Sequence, residues 1–167
     1  MNMSVDDHKE AAPRRLRFSV ITVSDRCSEG KAEDYSGSYI KEAVSSKNDL
    51  KDHRIVPDKT SEISRAVMEL SRDVDCVVLT GGTGVSKRDV TIQAVRPFFE
   101  KEMPGFGELF RSLSYDEIGM ASIMSGATAG IIGDSVIFCL PGSLPAVKLG
   151  MEIVLSEAYH IIKHLRE

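Results

Sequence analysis

No apolar run in the chain approaches the roughly 20 residues that a membrane-spanning helix needs, and residues 1–15, which include Asp6, Asp7 and Glu10, hold no apolar core of a secretory signal. A membrane protein is therefore not expected. Residues 1–15 read as a flexible tail and residues 16–167 as one domain. Strong positive charge is also missing. The formal net charge is −4, which disfavours a general grip on nucleic acid and makes any phosphate binding a local affair. The Arg14, Arg15, Arg17 cluster reads as a solvated run. Cysteine is scarce: Cys27, Cys76 and Cys139 form no CxxC pair and no zinc spacing. Cys76 and Cys139 lie inside apolar runs and read as reduced core residues, which fits a reducing cytoplasm. No internal repeat or low-complexity block is apparent.

Short β-branched runs alternate with amphipathic segments, the pattern of βα units around a mostly parallel sheet. Strands are predicted at Phe18–Val23, Arg54–Val56, Cys76–Leu79, Ala127–Ile132 and Ser135–Leu140, the last two joined as a hairpin at Gly133-Asp134. Helices are predicted at Tyr35–Ser46, Ser61–Arg72 and Thr91–Phe99, the last bent at Pro97. Two shorter ones follow at Gly105–Leu113 and Asp116–Ser125, and a long closing helix spans Ala146–Leu165. The result is an α/β fold of five or six strands with helices on both faces. Ligands of such sheets sit beyond the carboxyl ends of the strands. That rule brings four polar segments to one rim: Ser24-Asp25-Arg26, Pro57-Asp58, Thr80 to Asp89, and Pro141-Gly142-Ser143.

The strongest chemical signal is Gly81-Gly82-Thr83-Gly84 followed by Lys87, Arg88 and Asp89. Glycines let the backbone approach a ligand and adopt positive φ, and free N–H groups there can grip phosphate. Lys87 and Arg88 would add charge-assisted contacts. The loop is neither a Walker A loop nor a GxGxxG fingerprint, and a tight strand–helix turn explains it equally well. Asp89 lies just before a helix and could be its N-cap. Asp58 could close a turn. Together at one rim the two carboxylates could hold Mg²⁺, which prefers hard oxygen ligands. Ser24-Asp25-Arg26 could be a capped turn with a local Asp25–Arg26 pair, and Ser143 could cap the last helix. His160 and His164, spaced i, i+4, could ligate a metal, although cations near a helix C-terminus are favourable in any case. Phe98, Phe99, Phe106 and Phe110 read first as core.

Taken in order, these loops resemble the MoaB/MogA family, the molybdopterin adenylyltransferases that also occur as the G domains of gephyrin-like proteins. The matching stretches are Ile21 to Arg26, Ile55 to Asp58, Leu79 to Gly84, Lys87 to Thr91, Glu102 to Arg111 and Leu140 to Ser143. They cover nearly the whole chain after Arg17. Phe106 to Gly119 looks especially like the MoaB branch. The resemblance implies a three-layer α/β/α sandwich, the molybdopterin-binding fold. It implies transfer of AMP from ATP to the terminal phosphate of molybdopterin, with release of pyrophosphate and dependence on Mg²⁺. It also implies a homotrimer or hexamer, and a downstream molybdenum-insertion protein as a partner. The family's acidic pair maps onto Asp58 and Asp89, with Arg88 beside them. Its binding loops map onto Ser24, Asp25 and Arg26, onto Gly81, Gly82, Thr83 and Gly84, and onto Pro141, Gly142 and Ser143. A non-catalytic molybdopterin carrier or an oligomeric scaffold is the alternative.

The chain keeps Arg88-Asp89-Val90-Thr91, the pattern that accompanies activity in the family. It departs from many relatives at Ile92, where proline is common at the helix start, and at Gly126, where many carry arginine. A phosphate monoester already bears a nucleophilic oxygen near neutral pH. The lack of a Ser–His–Asp or Cys–His signature is therefore no objection to adenylyl transfer, whose task is positioning two anions that repel each other.

Overall fold

A strand that is apolar along its whole length needs cover on both faces, and Cys76–Thr80 (β3) is buried at all five positions. In the computed structural model, which describes residues 15–167, that cover comes from helices on either side of a six-stranded sheet. The strand order is β2-β1-β3-β6-β5-β4. Here β1 is Arg17–Val23, β2 Asp49–Val56, β4 Lys101–Glu102, β5 Thr128–Ile132 and β6 Ser135–Leu140. Strands β2, β1, β3 and β6 run parallel. The β5–β6 hairpin, turned at Gly133 with φ +57°, and the short β4 add an antiparallel edge.

Alternate residues of the central strands enter two separate cores, the period-2 consequence of a pleated strand. Phe18, Val20, Val78 and Phe138 pack on one face against α2 (Tyr35–Ser45), α5 (Pro104–Ile118) and α6 (Leu144–Leu165). Ile21, Val77, Leu79 and Ile137 pack on the other against α3 (Thr60–Leu70) and α4 (Thr91–Val95). A single turn of helix, α1 (Asp25–Ser28), follows β1. The three-layer α/β/α sandwich with a mostly parallel sheet is therefore as expected. Cys76 and Cys139 are buried in it, and burial holds the Cys139 thiol up at about 12.

Three local expectations need correction. Strand β2 begins at Asp49, five residues before the predicted start. Its first half is polar, and as an edge strand it needs backbone pairing more than apolar side chains. The two short helices predicted around residues 105–125 are one helix, α5. It ends at Gly119 with φ +62° and continues as a 3₁₀ segment, Gly119–Met124. Ser114, which broke the apolar pattern, is buried inside it. Helix α4 stops at Val95, and Pro97 lies in a following 3₁₀ turn. The expected tail lies outside the described residues except for Arg15, which is not merely solvated but donates to Asp49 Oδ1 at 2.6 Å. Phe106 and Phe110 are core residues, whereas Phe98 is exposed.

At the amino ends of the strands, Asp75 ties the sheet to the last helix. Its carboxylate accepts the Arg17 N–H at 2.7 Å and the Arg17 guanidinium at 2.9 Å, and also accepts Arg166 from the end of α6. Burial pushes the Asp75 carboxyl up, but the bonds from Arg17 and Arg166 more than offset this and hold it below the usual carboxylate range. A depressed folded-state value contributes stability that is complete above the unfolded value of about 3.9 and is lost as pH falls through the folded one. Replacing Asp75 with alanine orphans a backbone donor and two guanidinium partners. It is expected to cost about 2–4 kcal/mol in a denaturant titration near neutral pH. The gap between the variant and the parent should narrow only below the ordinary carboxylate range.

Candidate functional site

The chain runs outward from β1 to β2, then crosses back to place β3 on the other side of β1. Such a reversal of strand order leaves a crevice at the carboxyl ends of the two strands. A cleft of about 460 Å³ lies there. It is lined by Val23 and Ser24 after β1, Asp58 after β2, Gly81, Gly82 and Asp89 after β3, and Gly142 after β6. The strand-end rule applied to the sequence therefore holds for all four polar segments.

The loops are tied together by an exchange of backbone bonds. Asp58 Oδ2 accepts the N–H of Asp25 at 3.0 Å, and Asp25 Oδ1 accepts the N–H of Asp58 at 2.9 Å. The other Asp25 oxygen pairs with Arg88 of the glycine loop at 2.9 Å. The expected Asp25–Arg26 pair is thus replaced by a bridge of 63 residues in sequence. The Asp58 N–H, followed by Arg88, holds the Asp25 carboxyl below its usual range. Burial pushes Asp58 the other way, and the negative charges of Asp25 and Asp89 add to the rise, against the bond from the Asp25 N–H. Asp58 and Asp89 are therefore near enough to repel, and they face one cavity.

Asp89 is not the N-cap of α4. That position is Val90, which makes no side-chain cap, while Asp89 Oδ2 accepts the Ser86 N–H at 3.0 Å inside the loop. Ser24 does cap, accepting the Cys27 N–H at 3.2 Å. Ser143 occupies the N-cap position of α6, but its side chain makes no capping bond. Gly81 and Gly82 adopt φ of +98° and +67°. A Cβ on Gly81 would lie 2.3 Å from the Val23 carbonyl oxygen, so glycine is required there by both conformation and space. The Gly81 N–H is already bonded to Leu140, so this residue supplies shape rather than a ligand donor. Thr91 holds the loop from below: its hydroxyl donates to the Gly81 carbonyl at 2.7 Å and its N–H to that of Gly82 at 2.9 Å. Helix α4 thus starts at Thr91 without a proline, and Ile92 is buried.

Not every predicted residue reaches this cleft. Thr83 and Gly84 line a second cavity of about 390 Å³ on the far side of the glycine loop, together with Arg96, Arg111 and Gly126. A Cβ on Gly126 would lie 1.9 Å from the Thr83 carbonyl oxygen, so glycine lets this segment lie directly against the loop. Asp25, Arg26, Arg88, Pro141 and Ser143 line neither cavity. The Pro141 carbonyl instead accepts the Thr80 hydroxyl at 3.0 Å, joining the ends of β3 and β6. Lys87 is exposed, outside the cleft.

The sequence reading missed Thr22, Asp34 and His53. Asp34 Oδ2 accepts the Thr22 hydroxyl at 2.6 Å and lies 3.1 Å from His53 Nε2, and its Oδ1 accepts the Gly37 N–H that opens α2. The one Thr22 hydroxyl proton goes to Asp34, so the 3.0 Å contact between Thr22 and His53 requires a proton on His53 Nε2. Burial pushes the Asp34 carboxyl up, and these bonds overcome that and lower it. An aspartate immediately before an amphipathic helix was the available signal. It reads as a cap, and only the fold shows that the cap faces the cleft. With Glu33, Asp34, Asp58 and Asp89 in its lining and no lysine or arginine, the cleft is acidic.

Residues 19–160 match the family model described as "Probable molybdopterin binding domain". The chain is 47% identical to the molybdopterin adenylyltransferase of Pyrococcus furiosus, with 99% of this chain and all of that protein covered. It is 44% identical to the molybdenum cofactor biosynthesis protein B of Bacillus subtilis, over 99% of each. The crystal structure of the tungsten cofactor synthesizing protein MoaB from Pyrococcus furiosus superposes with a TM-score of 0.89 at 48% identity, covering 93% of this chain and 100% of that one.

The left-handed glycine loop leaves no room for a methyl group. Gly82→Ala would bring a Cβ to 2.4 Å from the Thr91 hydroxyl and 3.1 Å from Asp58 Oδ1. A loss of about 1–3 kcal/mol is expected in thermal or denaturant unfolding. In amide hydrogen exchange, the added opening should concentrate in residues 80–91 rather than spread over the sheet.

Proposed function

The chain belongs to the molybdopterin-binding family of the MoaB/MogA type, and from that premise we propose that it transfers AMP from ATP to the terminal phosphate of molybdopterin, releasing pyrophosphate. The observation that carries this reading is the pairing of an acidic cleft with a glycine loop at the switch point of the sheet. A polyphosphate would be repelled by four carboxylates unless a cation accompanied it. Asp58 and Asp89 offer hard oxygen donors that already repel each other, so the donor set fits Mg²⁺. When bound, Mg²⁺ would neutralise phosphate oxygens and favour the departure of pyrophosphate.

The chain's own residues do the positioning. In the reaction an oxygen of the molybdopterin phosphate forms a bond to the α-phosphorus of ATP, and the bond to the bridging oxygen of the β-phosphate breaks. No strong base is required, because the acceptor oxygen is already ionised. The backbone N–H of Gly82, which lines the cleft, would hold a phosphate oxygen, while Thr83 and Gly84 act through the loop they shape from the second cavity. Arg88 sits on Asp25 at the edge of the cleft and can turn toward charge developing on the transferred group. Ser24, Asp25, Arg26, Pro141, Gly142 and Ser143 place the pterin end, with Pro141 and Arg26 acting through the loops they shape.

The unpaired state of Cys27, Cys76 and Cys139 fits a reducing cytoplasm. No helix among the described residues is long and apolar enough to cross a membrane. The end of α5 and the following 3₁₀ segment expose Tyr115, Ile118, Met120, Ile123 and Met124, with Ile123 81% exposed. A patch of that kind is the surface through which copies of the chain would assemble into a trimer or hexamer. A downstream molybdenum-insertion protein is the expected consumer of the product.

Asp89→Asn keeps the size of the side chain and removes its charge. It is expected to reduce pyrophosphate release in the presence of molybdopterin by at least about 100-fold at saturating ATP and Mg²⁺, while molybdopterin binding and the unfolding midpoint change little. Parent-like turnover would overturn the role of Asp89. Binding of molybdopterin by the parent without ATP-dependent pyrophosphate release would select the carrier reading instead. For assembly, Ile123→Lys should lower the mass measured by light scattering toward that of one chain.

A further inference from the structure

One side chain in the lining of the cleft has no part in the transfer as derived so far. Tyr35, the first residue of α2, lines the cleft and is 67% exposed. It is the only aromatic residue in that lining, and the cavity on the far side of the glycine loop has none. Its ring joins neither of the two cores. Among the described residues it stacks on no other ring, meets no cation, and its hydroxyl makes no hydrogen bond. The fold therefore draws little packing from this side chain.

The backbone that carries the ring is held on both sides. Before it, the Asp34 carboxylate accepts the Thr22 hydroxyl at 2.6 Å and the Gly37 N–H at 2.8 Å, and pairs with His53 at 3.1 Å. After it, the Ser36 hydroxyl donates to the Gly142 carbonyl at 2.8 Å, which ties the start of α2 to the loop after β6. Gly37 packs so closely here that a Cβ would lie 2.1 Å from Asp34 Oδ2 and 2.4 Å from the Thr22 hydroxyl oxygen. A single exposed aromatic on a convex surface calls for no explanation. Tyr35 differs in standing on an over-determined stretch of backbone inside the lining of a cleft, with most of its surface in water. A ring held in that way loses little freedom when another ring settles on it.

Each substrate of the transfer reaction carries a flat nitrogen heterocycle, adenine in ATP and a pterin in molybdopterin. The carboxylates and glycines of the cleft manage phosphate and metal but give such a ring nothing to lie on. Stacking on an aromatic face requires an accessible ring and tolerates any flat base, because it does not depend on a pattern of hydrogen bonds. We propose that Tyr35 is the stacking platform for the heterocycle of one of the two substrates. A cleft with one aromatic side chain stacks one ring, so the heterocycle of the other substrate is held by other means. The inference rests on the transfer reading for the identity of the two rings, whereas the platform itself rests on the placement of Tyr35.

The test is calorimetric titration of the full chain with ATP and, separately and without oxygen, with molybdopterin, both in excess Mg²⁺. Tyr35→Ala should weaken the binding of one of the two by about tenfold and leave the other within about twofold of the parent. Tyr35→Phe, which keeps the ring, should stay within about twofold for both. Tripolyphosphate, which carries phosphates and no ring, should bind all three proteins alike. The chain contains no tryptophan, so Tyr35→Trp places a single reporter on the platform. Its fluorescence should be quenched by the ligand that Tyr35→Ala loses and not by tripolyphosphate. Loss of affinity for ATP identifies adenine as the stacked ring, and loss of affinity for molybdopterin identifies the pterin. Parent-like binding of both ligands by Tyr35→Ala would overturn the proposal. So would an equal weakening of tripolyphosphate, which would mark a general distortion of the cleft. A parent that binds these ligands but releases no pyrophosphate would sink the transfer reading alone, because stacking is read from binding.

Discussion

Two aspartates that exchange backbone hydrogen bonds set the geometry on which the rest of the site depends. Asp25 and Asp58 each accept the other's N–H, so the loops after β1 and β2 cannot separate without orphaning two donors and two charges. The exchange fixes the Asp58 carboxylate with one oxygen engaged and the other near Gly82. It also leaves Asp25 one oxygen for Arg88, which draws in the glycine loop after β3. Three loops from separated parts of the chain thereby become one rigid rim. Each bond is individually modest. Their joint effect is that no member can move alone, and that is the sense in which a functional constellation is preorganised.

That arrangement has an electrostatic consequence. Placing Asp58 within the fields of Asp25 and Asp89, while partly burying it, raises the free energy of its ionised form. The bond from the Asp25 N–H and the field of Arg88 oppose this only in part, and the lining of the cleft itself holds no lysine or arginine. A rim of this kind is poorly suited to a bare anion and well suited to an anion escorted by a divalent cation. The sequence reading assigned the attraction for phosphate to the glycine-loop N–H groups, to Lys87 and Arg88, and to Mg²⁺ held by Asp58 and Asp89. In the structure Arg88 is engaged by Asp25 and Lys87 lies outside the cleft, so carboxylates dominate the charge of its lining.

Legibility divided along physical lines. The buried strands β1, β3 and β6 announced themselves because they are apolar on both faces. Their strand-end loops could then be assigned to one rim by topology alone. The first half of β2 was invisible because Asp49, Lys51, Asp52 and His53 belong to an edge strand, held by main-chain bonds that carry no side-chain signature. The unity of α5 was hidden by Ser114, a polar residue buried in an otherwise periodic pattern. Within the site, Asp58 and Asp89 were readable from position, whereas the Asp25–Arg88 bridge was not. A contact across 63 residues leaves no periodic trace, and the nearer Arg26 is the natural guess. Asp34 was passed over, and it caps α2. Its second role, facing the cleft beside Thr22 and paired with His53, depends on which end of β1 and β2 meets α2.

The two ends of the sheet divide the work between them. At the carboxyl ends, like charges are gathered, Asp58 is desolvated, and two consecutive glycines are held at positive φ. These features raise the energy of the folded state locally and persist only where the surroundings over-determine them. At the amino ends the sign reverses. Asp75 is surrounded by Arg17, the Arg17 N–H and Arg166, each opposite in charge or a donor, and its ionised form is favoured. Because β3 runs directly from Asp75 to the glycine loop, both conditions are borne by one fully buried strand. The apolar packing on its two faces gives the rigidity that lets the far end of the same strand hold the acidic loops in place.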